Sequence, residues 1–205
     1  GLGIPADPLF RSSIPSTNRT YHARDRCVDG MLKSTEDNHI DMLHPNANII
    51  EVRKGTYEAK YTLLELLNKG GNAWVCRCMH NETKEEYAIK ILQTGKQGET
   101  LSRFANEIAV MRTFGGVENG VLPIIDADAE NGWYVMPIAK SIEDYFEETK
   151  ADIKEKVEAI VNLAQSLETL HEKGITHRDI KPDNIFRYED QYCFGDFGLC
   201  EYPES

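Results

Sequence analysis

Three short stretches carry side chains whose types and spacing could do chemistry. His177-Arg178-Asp179-Ile180-Lys181-Pro182-Asp183-Asn184 packs two carboxylates, a lysine and an amide into eight residues. Asp196-Phe197-Gly198 begins twelve residues after Asn184. Lys90 closes Tyr87-Ala88-Ile89-Lys90. A carboxylate on a fixed loop can take a proton from an attacking hydroxyl. A carboxylate and an amide oxygen can together ligate a hard cation. Each residue alone has a plainer reading. A lone loop aspartate such as Asp179 or Asp196 ordinarily caps a turn. Lys90, between Ala88 and Leu92 on one strand face, is either an edge gatekeeper or a cleft lysine. Glu107, in Phe104-Ala105-Asn106-Glu107-Ile108, has Arg103 at helical spacing, a pair worth about 0.3–0.5 kcal/mol.

Such groups need a frame, and hydrophobic periodicity supplies one from Tyr57 onward. Tyr61 to Leu67, Trp74 to Met79, Glu86 to Leu92, Val121 to Asp126 and Trp133 to Met136 read as strands. In the third, Tyr87, Ile89 and Ile91 share one face and Ala88, Lys90 and Leu92 the other. Phe104, Ile108 and Met111 recur at helical steps between the third and fourth strands. The pattern predicts a mostly antiparallel sheet with one inserted helix. After Pro137 the character turns helical. Ile142, Tyr145 and Phe146 mark a short helix. Ile153, Val157, Ile160, Val161, Ala164, Leu167 and Leu170 mark a long one, capped by Asp152 with Glu155 and closed by Lys173-Gly174. Residues 1–56 hold Pro5, Pro8, Pro15 and Pro45 and no sustained stripe, which reads as an extension or linker, or the tail of an upstream domain.

At 205 residues the chain can bury one good core with an appendage. The net charge is −11 and unevenly placed. Residues 1–60 hold eight basic and eight acidic residues, and the rest 15 and 26. That excludes a clustered basic footprint for nucleic acid and suggests a boundary near residue 60. No apolar run approaches a membrane span, and no signal-peptide pattern opens the chain. The cysteines (Cys27, Cys76, Cys78, Cys193, Cys200) are odd in number and lack a C-x-x-C pair, so reduced thiols of a cytosolic protein are expected rather than a zinc site. His22, His39, His44, His80 and His171 share no ligand spacing.

HRDIKPDN and DFG in order, behind a strand lysine in AIK and a helix glutamate, resemble the eukaryotic-type Ser/Thr protein kinases from about Tyr57 to the end of the chain. The resemblance implies an α+β, protein kinase-like fold. Residues 57–139 would form an amino lobe of antiparallel sheet plus one helix and the hinge. Residues 140–205 would form the first part of a mainly helical lobe. It implies transfer of the γ-phosphoryl group of ATP, with Mg²⁺, to Ser/Thr hydroxyls of a protein substrate. Asp179 would orient the attacking hydroxyl and Lys181, as in the Ser/Thr branch, would contact the γ-phosphate. Lys90 would hold the α- and β-phosphates and pair with Glu107. Asn184 and Asp196 would be the metal ligands. Val75 and Ala88 would cover the adenine, with Phe186 beneath it, although each is equally readable as plain core. Met136 would be the gatekeeper, and Pro137, Ile138 and Ala139 the hinge backbone. His177, Phe197 and Met111 would form a structural stack.

Two departures stand out. Counting back from Lys90 to Val75 identifies Asn68-Lys69-Gly70-Gly71-Asn72-Ala73 as the nucleotide-covering loop, yet its three glycine positions read Asn68, Gly70 and Ala73. Only seven residues follow Gly198, with no room for an activation segment, so a fragment of a longer kinase is expected. The alternatives are a nucleotide-binding pseudokinase scaffold and a kinase-like small-molecule phosphotransferase. The complete polar set argues for an enzyme, placed in the cytoplasm unless segments outside this chain attach it to a membrane.

Overall fold

The structure, a computed structural model, describes residues 39–43, 49–93, 95 and 98–201. Cys27, His22, His44 and the four prolines of residues 1–56 lie outside these. The first described elements are β1 (His39–Leu43) and β2 (Ile49–Arg53), an antiparallel hairpin. It falls in the stretch read as an unpatterned extension. Two five-residue strands carry too few turns of alternation to register as periodicity.

The main sheet is five-stranded, in the order β3-β4-β5-β7-β6, all antiparallel. Its strands are β3 (Tyr61–Lys69), β4 (Ala73–His80), β5 (Glu86–Leu92), β6 (Asp126–Asp128) and β7 (Trp133–Met136). Alternation along β5 splits the core in two. Ile89 and Ile91 join Tyr57, Tyr61, Leu66, Trp74, Cys76, Cys78, Trp133 and Val135 on one side. Leu92 joins Phe104, Ile108, Met111 and Tyr134 in a larger cluster on the other. Cys76 and Cys78 share a face, as their spacing required, and burial pushes both thiols up to about 12.

The predicted strand from Val121 to Asp126 does not form as such. Val121 bridges to Gly116 and Phe194, Leu122 N–H donates to the Phe194 carbonyl, and pairing with β7 begins at Asp126. Pro123 has no N–H to give a ladder, so the apolar run is tied to a different sheet.

Helix α1 (Glu99–Phe114) buries Phe104, Ile108 and Met111 as expected, and with them Glu107. Then come β8 (Lys140–Ser141), α2 (Ile142–Thr149) and α3 (Ile153–Glu172). The Asp152 carboxylate accepts the Glu155 N–H at 2.9 Å, capping α3, and Gly174 beyond its end is left-handed. The face that α3 buries is Ala159, Leu163 and Leu170, whereas Ile153 is 77% and Ile160 66% exposed. β9 (Ile185–Tyr188) and β10 (Gln191–Phe194) complete a three-stranded sheet with β8 that periodicity did not suggest. Their turn places Glu189 and Asp190 both at positive φ, as a two-residue primed hairpin requires, but without the Asn-Gly or Asp-Gly signal that marks one. No helix among the described residues is long and apolar enough to cross a membrane.

Candidate active site

Lys90 stands near the middle of the sheet, opposite Val75 on one neighbouring strand and Tyr134 on the other. Helix α1 presents Glu107 on its buried stripe, and the two meet. Lys90 Nζ donates to Glu107 Oε1 at 2.7 Å and Oε2 at 3.0 Å. The competing partner for Glu107 is engaged elsewhere, since Arg103 pairs with Glu99. Lys90 also donates to Asp196 Oδ1 at 3.0 Å, so one ammonium serves two carboxylates. Burial by itself would lower the Lys90 pKa, but Glu107 and Asp196 outweigh it and raise it. Burial pushes the Glu107 carboxyl up, opposed by Lys90 and by the Tyr134 hydroxyl, which donates to Oε1 at 2.8 Å. Burial works the same way on Asp196, yet Lys90 and the Gly198 N–H hold that carboxyl below its usual value.

Asp179 lies in the loop between α3 and β9. Lys181 Nζ donates to its Oδ2 at 2.7 Å. Asn184 Nδ2 donates to the same Oδ2 at 3.0 Å and to the Asp179 carbonyl at 2.8 Å. Lys181, then Asn184, draw the Asp179 pKa down despite some burial. The backbone joins this loop to Asp196, because Gly195 N–H donates to the Asn184 carbonyl at 2.9 Å. His177 adds a second tie. Its Nδ1 accepts the Asp179 N–H at 3.3 Å, so the proton sits on Nε2, which donates to the Gly195 carbonyl at 3.0 Å. The ring packs on Phe197 with centroids 4.6 Å apart, and Phe197 and Met111 share the larger core cluster.

The remaining candidates lie on β3, β4, β5, β7 and β9 and in the segments that join them. Lys69 pairs with Trp74, and Gly70 N–H donates to the Ala73 carbonyl at 2.9 Å. Gln93, just past β5, fastens the turn through Nε2 to the Gly70 carbonyl and N–H to the Asn72 carbonyl. Asn68 and Ala73 belong to strands, and none of Asn68, Gly70, Gly71 and Ala73 adopts left-handed backbone. Ala88 lies directly opposite Met136, and Val75 lies on the Lys90 face. Pro137, Ile138 and Ala139 connect β7 to β8. Phe186, on β9, lies so close to Gly195 that a Cβ there would come within 2.9 Å of its ring. Met136, Ala139 and Phe186 are half-buried against the larger cluster.

For a cation the polar cluster offers oxygens. Asn184 has turned its N–H groups to Asp179, so its Oδ1 could serve as a ligand, and Lys90 occupies only Oδ1 of Asp196. No group of three or more His, Cys, Asp or Glu among the described residues is placed to hold a metal. Two oxygens suit Mg²⁺, which keeps waters and phosphate oxygens as its other ligands. A surface hollow of about 460 Å³ between α3 and the β9–β10 hairpin is lined by none of these residues.

Sequence reasoning missed Tyr134, Gly195 and Gln93. Tyr134 is in plain sight in a strand, but its place beside Lys90 follows from register, which one strand does not reveal.

A family model described as the protein kinase domain matches residues 61–205. The chain is 32% identical over 154 residues to serine/threonine-protein kinase DCLK1 of Rattus norvegicus, covering 70% of this chain and 35% of that protein. It is 31% identical over 157 residues to MAP kinase-interacting serine/threonine-protein kinase 2 of Xenopus laevis, covering 74% and 30%. It is 30% identical over 158 residues to serine/threonine-protein kinase DCLK2 of Ailuropoda melanoleuca, covering 71% and 20%. The match thus spans about a third, or less, of the length of these relatives.

Proposed function

This chain belongs to the protein kinase domain family, and from that membership we propose that it transfers the γ-phosphoryl group of ATP to Ser/Thr hydroxyls of a protein substrate. The observation that carries this reading is the joined polar set. Lys90 bonds Glu107 and Asp196 together, and Asp196 follows the Gly195 that is fastened to Asn184 and His177 around Asp179.

In this reading residues 57–139 are the amino lobe and hinge, and residues 140–205 the start of the carboxy lobe. The adenine lies between Val75 and Ala88 above and Phe186 below, with its edge at the backbone of Pro137 to Ala139 and Met136 behind it. The loop from Asn68 to Ala73 covers the phosphates. Lys90 neutralises the α- and β-phosphate oxygens, held by Glu107. Asn184 Oδ1 and Asp196 would hold Mg²⁺, which would neutralise charge on the phosphates. Asp179 accepts the hydrogen bond of the attacking hydroxyl and takes its proton as the new O–P bond forms and the bond from Pγ to the bridging oxygen of ADP breaks. Lys181 steadies Asp179 and faces the transferred phosphoryl. The cell compartment in this reading is the cytoplasm.

Asp179→Asn tests it in the full-length protein. We expect kcat to fall by about 10²–10⁴, the usual worth of a positioned base. ATP·Mg affinity measured by calorimetry should hold steady, because no nucleotide contact is removed. Phosphorylation of a Ser/Thr substrate at the wild-type rate would sink the assignment. A wild type that binds ATP·Mg without transferring phosphate would favour the pseudokinase scaffold.

A further inference from the structure

Tyr134 is fully buried on β7, directly opposite Lys90. Its ring packs on Phe104 of α1, with centroids 5.5 Å apart. Its hydroxyl donates to Glu107 Oε1 at 2.8 Å, the oxygen that also receives Lys90 Nζ at 2.7 Å. Lys90 has a second claim on it, Asp196 at 3.0 Å. The two carboxylates differ in need: the Glu107 side chain is 2% exposed and that of Asp196 is 45%. A buried carboxylate depends on the donors it has, because water cannot replace a lost one.

In the proposed reaction the Lys90 ammonium must also serve phosphate oxygens. Whatever share it gives them is taken from Glu107 or Asp196. The Tyr134 hydroxyl is a donor that does not depend on Lys90, and it anchors Glu107, and with it α1, to the central sheet. Burial and the nearby Glu107 charge keep the phenol protonated, so it remains a donor. We propose that Tyr134 is a positioning residue for phosphoryl transfer, fixing Glu107 so that Lys90 stays aimed while it serves the nucleotide. This rests on the kinase reading above.

The test is Tyr134→Phe in the full-length protein, which removes one oxygen and keeps the ring on Phe104. At saturating ATP·Mg, kcat falls about tenfold, the scale of a charge-assisted hydrogen bond lost from a buried carboxylate. KM for ATP·Mg changes by no more than about twofold, since no nucleotide contact is touched. In a Glu107→Ala background, Tyr134→Phe causes no further loss, because its acceptor is already gone. Wild-type kcat in Tyr134→Phe, or the same loss with and without Glu107, overturns the inference and leaves the kinase reading standing. A Tyr134→Phe chain that no longer unfolds cooperatively also overturns it, by making the hydroxyl a stability element. A wild type that transfers no phosphate overturns both.

Discussion

His177 shows how much chemistry one buried ring can organise. It is 1% exposed, with one nitrogen accepting from Asp179 and the other donating to Gly195. These bonds require the neutral ring, and burial lowers its pKa against the opposing pull of the Gly195 carbonyl and the Asp196 and Asp179 charges. Lys90 and Lys181 lie beyond those carboxylates. A histidine whose folded pKa lies below its unfolded value of about 6.5 contributes stability that is complete above that pH. As pH falls through it, the unfolded chain takes up the proton first and stability is lost. Urea unfolding at pH 7.5 and pH 5.5 should therefore show a larger drop for wild type than for His177→Phe. Equal drops would mean that this ring does not resist protonation. Arg178 and Asp196, next to the two residues that His177 ties together, both sit at positive φ. Left-handed backbone at non-glycine residues costs about 1–3 kcal/mol each and persists where surrounding bonds over-determine it.

At the scale of elements, the turn between β3 and β4 invites a direct test. Gly70 and Gly71 do not occupy the left-handed region, so the turn does not demand glycine. A Cβ on Gly70 would meet the Ala73 carbonyl at 3.4 Å, an ordinary contact, and one on Gly71 would meet nothing within 4 Å. Gly70→Ala should leave folding stability within about 1 kcal/mol of wild type. If this turn covers phosphate, the added methyl should still weaken ATP·Mg binding, by roughly 0.5–1 kcal/mol or severalfold in Kd. Calorimetry checks it, and an unchanged Kd would remove the turn from the phosphate site. Four strands of the main sheet and helices α1, α2 and α3 were legible because their apolar stripes repeat, whereas β6, three residues long, was misplaced within the apolar run from Val121 to Asp126. The β9–β10 hairpin was not legible, because Glu189-Asp190 is an uncommon primed turn. The faces of α3 were ambiguous for another reason. It carries apolar residues on two sides, and only packing into the larger core cluster selects Ala159, Leu163 and Leu170.

Across the molecule, the sheet is bound to residues upstream of the family match. Val52 and Tyr57 are buried in the cluster that backs the sheet, and Tyr57 meets Trp133 edge-on at 6.3 Å. Thr56 accepts the Trp133 indole N–H at 2.8 Å and donates to Asp128 at 2.9 Å, while Lys60 pairs with Asp126. A fold-wide hydrophobic seam is at stake there rather than a surface ornament. Tyr57→Ala should cost about 3–5 kcal/mol, the range for removing a buried aromatic ring. Equilibrium urea unfolding measures it, and a loss under about 1 kcal/mol would show that the segment is only loosely attached.

What the sequence alone determined was local in nature. The order HRDIKPDN then DFG, the strand lysine and helix glutamate, the sheet-then-helix sequence of elements and the family they resemble all lie within short windows. Tertiary structure decided what meets across those windows. It brought Lys90 to both Glu107 and Asp196, set Tyr134 opposite Lys90, protonated His177 on Nε2, and drew Val121 and Leu122 to Phe194 instead of to β7. The reason is physical. Periodicity and motif spacing encode which face a side chain takes, whereas register and docking depend on the mutual burial of elements far apart in the chain.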